Sequence, residues 1–204
     1  MMSRHGIGAI VLAGGRASRM GGAAKPLLEL DGRSLLHRAV DAVAGCSPVT
    51  IVAEVLDATL PGVDWVREDP PFGGPAAGIV AALASWPVEG GPEWAFLLAA
   101  DLAHPDAAVA ALDAASGARG AASDGAHLVD PEGRAQWLAG RYRVDALRAA
   151  AARLPAGGRD LPMRALLGGL SLVRVEAPAA ASLDIDTWED LERARAHAVP
   201  LEEP

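Results

Sequence analysis

Arg19 and Lys25 are the residues of this chain best suited to chemistry on phosphates. Both lie in a glycine-rich stretch, GGRASRMGGAAK, at Gly14–Lys25. Arg presents a planar two-pronged donor to a phosphate and Lys a mobile point charge, so the pair suits a polyphosphate whose charge shifts during reaction. Gly14, Gly15, Gly21 and Gly22 remove Cβ atoms where a backbone turns sharply and nears a ligand, and the amides left exposed there donate to phosphate oxygens. Further on, Asp101 follows the apolar run WAFLLAA at Trp94–Ala100. A carboxylate at the end of a buried strand is placed to hold a hard cation, because magnesium takes one or two carboxylates and fills its shell with phosphate oxygens and water. Capping of the following helix is the plainer role for the same residue.

Other chemistries fail on spacing or composition. Lys25 precedes Pro26 where a Walker loop needs Ser or Thr, and the G-x-G-x-x-G dinucleotide pattern is absent from this loop. His5, His37, His104, His127 and His197 are scattered, with no metal-binding pair and no Ser-His-Asp set. The chain has 204 residues, 51% of them hydrophobic, and a net charge of −8. That length can bury one substantial core, and the acidic balance argues against a nucleic-acid surface. Cys46, the single cysteine, cannot form an intrachain disulfide and fits a reducing compartment. The first apolar run is broken by Gly14–Gly15 and is too short to span a membrane. A cytoplasmic protein with no membrane partner is expected, in one domain over residues 1–199 with a disordered tail at 200–204.

The elements that must carry these residues follow from periodicity. Ile7–Ala13 reads as a strand buried on both faces. Ser34–Ala44 has helical spacing with Ser34 as N-cap, and Val49–Ala53 and Val63–Val66 read as strands. A rigid loop from Asp69 feeds a helix, with Pro75 early in it, that runs to Ser85. Trp94–Ala100 is the most apolar strand and Asp106–Ala115 a helix. Arg119–Ser123 reads as a weak strand, and His127–Asp130 and Ala135–Arg141 as a hairpin around Pro131–Arg134. A helix over Val144–Leu154 ends at Pro155–Gly158, a break expected to be mobile over an acceptor. Leu161–Leu167 reads as a helix, Ser171–Val175 as a strand, and Thr187 caps a last helix to Ala198. Strand, loop, helix, strand opens a βαβ layout, in which ligands bind beyond the carboxyl ends of the strands.

The pattern LAGG-x3-RMGG-x2-K-x-LLEL-x-G at Leu12–Gly32 resembles the signature of the molybdenum cofactor guanylyltransferase family, among the Rossmann-like nucleotidyltransferases. The resemblance implies a three-layer α/β fold: a mostly parallel central sheet, helices on both faces and a small β-hairpin insertion. It implies Mg2+-dependent transfer of GMP from GTP to the terminal phosphate of molybdopterin, with pyrophosphate released and molybdoenzymes or their chaperones as further partners. Arg19, Lys25 and Asp101 match the catalytic positions. Leu12, Ala13, Gly14, Gly15, Lys25 and Asp101 match nucleotide-binding positions, as do Gly74, Pro75 and Gly78 of a GP-x-AG segment near the base and Asp69 near the nucleoside. Asp101 matches the metal-binding aspartate. Asp184 or Asp186, with Asp186 preferred, offers a second metal ligand, and capping of the last helix accounts for the pair equally well.

Three features depart from the pattern. Asp101-Leu-Ala-His-Pro105 replaces Asp-x-Pro, Asp184–Thr187 reads DIDT where the family often has Asn-x-Asn-Thr, and Ala24 stands where aspartate is common. The last two are cues for a second reading, a cytidylyltransferase or sugar-phosphate nucleotidyltransferase of the same fold. A third, a nucleotide-binding partner protein without catalysis, is opposed by Arg19, Lys25 and Asp101 together. GTP is expected over CTP because the loop opens LAGG, where cytidylyl-transferring relatives have LAAG; an alanine methyl at Gly14 is expected to narrow the base site. QWLAGRYR at Gln136–Arg143 resembles the family's segment before a C-terminal helix, on the acceptor side. Arg141 and Arg143 in it suit either the pterin phosphate or a solvated strand edge, the second being preferred.

Overall fold

A computed structural model describes residues 4–14, 24–116, 123–178, 181 and 183–196. Strand β1 is Ile7–Leu12, followed by the two-residue strands β2 (Glu29–Leu30) and β3 (Arg33–Ser34) and by helix α1 (Leu35–Ala42). Ser34 caps α1, its hydroxyl accepting from the His37 N–H at 3.2 Å. Next come β4 (Val49–Val52), β5 (Asp64–Val66), α2 (Pro75–Ser85), β6 (Trp94–Ala99) and α3 (Pro105–Ser116). The last third holds β7 (Gly125–Val129), β8 (Ala135–Arg143), α4 (Val144–Ala151), α5 (Met163–Leu167), β9 (Leu172–Glu176) and α6 (Trp188–Ala196).

Seven strands form one sheet in the order β5-β4-β1-β6-β8-β7-β9. β8 runs antiparallel to β6 and β7, while the other pairings are parallel. Side chains alternate between faces, so a central strand feeds two cores. Ala95 and Leu97 of β6 pack with Ile79 and Leu83 of α2, Leu147 of α4 and Leu166 of α5. Phe96 and Leu98, on the other face, pack with Val109 and Leu112 of α3. Beside them Val11 and Ile51 meet Leu36 and Ala39 of α1. The three layers follow from continuous apolar runs that must be covered on both sides.

The hairpin differs from expectation in its place. β7 and β8 are not a separate insertion but two strands of the main sheet, because nine-residue β8 pairs with β6 along one edge and β7 along the other. The small separate antiparallel pair is β2–β3. Of the weak strand at 119–123, only Ser123 is described, and it lies outside any strand. The tail and the end of the last helix, 197–204, lie outside the described residues. No helix among the described residues is long and apolar enough to cross a membrane.

Gly78 shows how closely α2 sits on this sheet. A Cβ there would come within 2.9 Å of Val52 Cγ1 and 3.2 Å of Leu12 Cδ2. Alanine gains about 1 kcal/mol over glycine in a helix interior, but overpacking of a filled core costs about 1–3 kcal/mol. Gly78→Ala is therefore expected to lower stability by up to about 2 kcal/mol in a urea titration; an unchanged or raised midpoint would show that the helix is free to lift.

Candidate functional site

β1, β4, β5 and β6 run parallel, so the segments that leave their carboxyl ends gather along one edge of the sheet. Gly14 follows β1, Asp69–Gly74 leads from β5 into α2, and Asp101 follows β6. Lys25 opens a 3-10 turn, Lys25–Leu27, with Pro26 inside it. Its ammonium donates to Asp101 Oδ2 at 2.6 Å and to Asp186 Oδ1 at 2.8 Å. Backbone pairing explains how residues so far apart in sequence meet. The Ile185 N–H donates to the Asp101 carbonyl at 2.9 Å, the Ala103 N–H to the Leu183 carbonyl at 2.9 Å, and Leu102 forms an antiparallel bridge with Asp184. Segment 183–186 thus runs beside the segment that follows β6.

The capping role near the last helix falls to Thr187 and Asp190. The Asp190 N–H donates to Thr187 Oγ1 at 3.1 Å, and the Thr187 N–H to Asp190 Oδ2 at 2.9 Å, a reciprocal capping box. Asp186 is thereby left to meet Lys25.

Charge is concentrated here. Burial works to lower the Lys25 pKa, but hydrogen bonds and attraction from Asp101 and Asp186 outweigh it and the ammonium is held above its ordinary value. Burial pushes the Asp184 carboxyl up, and the negative charges of Asp101 and Asp186 add to it, bringing its pKa to about 7. Asp101 and Asp184 also line a cavity of about 280 Å3, walled by Gln136, Trp137, Leu138 and Met163. Among the described residues no three His, Cys, Asp or Glu side chains are grouped to hold a metal. Two carboxylates converging on one cationic atom, with phosphate oxygens to complete the shell, still suit magnesium.

Residues 9–172 match the MobA-like NTP transferase domain. The chain belongs to this family. A molybdenum cofactor guanylyltransferase of Rhodopseudomonas palustris (strain BisB5) is 43% identical over 96 residues, 45% of this chain and 45% of that protein. One of Bradyrhizobium sp. (strain ORS 278) is 41% identical over 78 residues, 36% of this chain and 37% of that protein. The matched stretches span less than half the length of these relatives. Among solved structures, molybdopterin-guanine dinucleotide biosynthesis protein A from Archaeoglobus fulgidus has a TM-score of 0.67 at 19% identity, covering 93% of this chain and 97% of that one. The 2-C-methyl-D-erythritol 4-phosphate cytidylyltransferase of Thermus thermophilus has a TM-score of 0.63 at 17% identity, covering 92% and 96%. At these identities both show the shared fold.

The structure brings Lys25 and Asp101, both within the matched residues 9–172, together with Asp186, which follows them. Arg19 and Gly15, with Gly21 and Gly22, lie outside the described residues. Leu12 ends β1 and Ala13 follows it, the Ala13 N–H donating to the Val52 carbonyl at 3.2 Å. A Cβ on Gly14 would sit 3.3 Å from that same carbonyl oxygen, so an alanine there acts first on how the loop seats against β4. Gly74 holds φ +88 as N-cap of α2, Pro75 is exposed at the helix start, and Asp69 is exposed. Gly78 is buried against the sheet, and the space it leaves serves helix packing, not a flat ligand.

One expectation is corrected, and another segment acquires neighbours. The break at Pro155–Gly158 packs on the loop before α2: the Asp160 N–H donates to the Gly73 carbonyl at 2.7 Å and Arg159 to the Pro70 carbonyl at 3.4 Å. Gly158 permits this, since its Cβ would stand 3.3 Å from the Ala76 carbonyl carbon. Arg141 is neither at the acceptor nor on a solvated edge. It lies over the Trp94 and Phe96 rings, 5.1 and 5.8 Å from their centroids, and pairs with Asp113 at 3.5 Å. Arg143 is the partly solvated one, its Nε donating to Asp145 at 3.0 Å. Sequence reasoning gives no individual role to Gln136, Trp137 or Met163. The available signal is topological: an antiparallel strand beside β6 must begin where β6 ends, which puts Gln136 at the site edge.

Proposed function

We propose that this protein is a magnesium-dependent nucleotidyltransferase that moves GMP from GTP to the terminal phosphate of molybdopterin. The observation that carries this reading is the meeting of Lys25, Asp101 and Asp186 at the carboxyl ends of β1 and β6, in a chain whose curated relatives bear the guanylyltransferase name. An oxygen of the acceptor's phosphate monoester forms a bond to the α-phosphorus of GTP as the bond from that phosphorus to the α–β bridging oxygen breaks. The electron pair of the broken bond leaves with pyrophosphate. The attacking phosphate is already an anion near neutral pH, so no side chain need remove a proton.

The protein's part is positioning and charge. Lys25 exchanges contacts with carboxylates for contacts with phosphate oxygens, and Arg19 adds a second cation from the same loop. Amides of Gly14 and Gly15 cradle the phosphates next to Leu12 and Ala13, while Asp69, Gly74 and Pro75 bound the nucleoside side and Gly78 lets the start of α2 sit close to the sheet. Asp101 and Asp186 would hold Mg2+, which neutralises charge on the phosphate oxygens when bound. The setting we propose is the cytoplasm, with a molybdoenzyme or its chaperone receiving the product.

DIDT and Ala24 favour the cytidylyl reading, but Asp184 and Asp186 sit by Lys25 and Asp101, and a base contact does not follow from them. With GTP and CTP competing in one tube, GTP is expected to be consumed at least about 10-fold faster, since a wrong base leaves buried polar groups unpaired. Preferred consumption of CTP would move the protein to the cytidylyl reading.

A further inference from the structure

The mechanism makes no use of the cavity wall at the start of β8. Gln136, in that wall, donates from Nε2 to Asp130 Oδ2 at 3.1 Å. Asp130 is only 6% exposed, and it also accepts from the Arg134 N–H and Nε, each at 2.8 Å. Burial would raise its pKa, but the donors from Arg134 and Gln136 outweigh this and hold the carboxyl below its usual range. An ionised carboxylate only accepts hydrogen bonds, so the amide nitrogen must face it and the amide oxygen turns away. The hairpin does not depend on this link. Backbone bonds close the turn, from the Asp130 N–H to the Arg134 carbonyl at 3.0 Å and from the Gly133 N–H to the Asp130 carbonyl at 2.9 Å. The volume, about 280 Å3, lies just below the usual range of small-molecule sites, about 300–1,000 Å3, and admits a compact ring system better than a dinucleotide.

We propose that Gln136 determines acceptor specificity and that Asp130 is its positioning residue: Asp130 holds the amide so that Gln136 Oε1 accepts a hydrogen bond from an N–H group of a heterocycle in the cavity. This rests on the guanylyltransferase reading, in which the acceptor carries a pterin rich in N–H donors.

The test is calorimetric binding of molybdopterin to wild type, Gln136→Leu, Asp130→Asn and the double variant, with melting temperature and the KM for GTP measured alongside. Gln136→Leu is expected to weaken acceptor binding about 10-fold, the loss of one good hydrogen bond. Asp130→Asn lets the amide turn round and is expected to weaken binding about 3-fold or more. The double variant should bind no worse than Gln136→Leu, because the two act through one contact. KM for GTP should move little in any variant. A merely structural Asp130 would lower the melting temperature and add its effect to that of Gln136→Leu. Additive losses, equal affinity in all four proteins, or no binding by wild type would overturn the proposal. The expected pattern of affinities in a protein that transfers no GMP would instead overturn the guanylyltransferase reading and leave this proposal standing.

Discussion

Asp101→Asn is expected to lower kcat by about 10²–10³, the loss typical when one charge-stabilising contact in an active site is removed. The substitution keeps the side chain's shape and leaves the backbone bond from the Ile185 N–H in place. It removes one of the two carboxylates that meet the Lys25 ammonium and, on the reading proposed above, one of the two that would hold magnesium. Stability should change little. The Asp101 side chain is 30% exposed, and partly solvated ion pairs of this kind contribute about 0–1 kcal/mol. The measurement is kcat across a magnesium titration, with a melting curve as control. Near-normal turnover at every magnesium concentration in a folded variant would take Asp101 out of the site.

Lys25→Ala should cost at least about 10² in kcat/KM, since it removes the cation on which both carboxylates converge. Without it Asp101, Asp184 and Asp186 face one another uncompensated, and on the proposed reading the triphosphate loses a cation. Lys25→Arg is not a rescue, because a planar fork replaces a compact ammonium that meets two carboxylates at once. The pH dependence has a definite sign. The Lys25 pKa is raised above 10.5, so the stability its pairing contributes is complete below that value and is lost only as pH rises through the higher folded one. Across neutral pH the ammonium stays charged. Large losses of stability with unchanged kinetics in Lys25→Ala would make the contact structural.

The parts legible in the sequence were those fixed within a few residues. Ser34 and Thr187 announced their helices because a cap needs only a hydroxyl and an amide three positions on. β6 was visible because a strand covered on both faces must be apolar throughout. Asp101 could be placed at its end by the same logic. The rest depends on pairing across long separations. Lys25 meets Asp101 across 76 residues and Asp186 across 161, and no local pattern records that. Arg141 reads as a surface charge until the sheet sets it over Trp94 and Phe96. Pro155–Gly158 reads as a break, and its composition does not record that the Asp160 N–H just after it donates to the Gly73 carbonyl. Gln136 follows a turn, and only the antiparallel direction of β8 turns that position into a cavity wall.

The most direct measurement is the mass of the product formed when the protein is incubated with magnesium, molybdopterin and each of the four ribonucleoside triphosphates in turn. GTP should give a dinucleotide in which GMP is joined to the molybdopterin phosphate, together with one pyrophosphate per product. A nucleotide adduct from CTP and not from GTP, or no adduct from any triphosphate, would contradict the account.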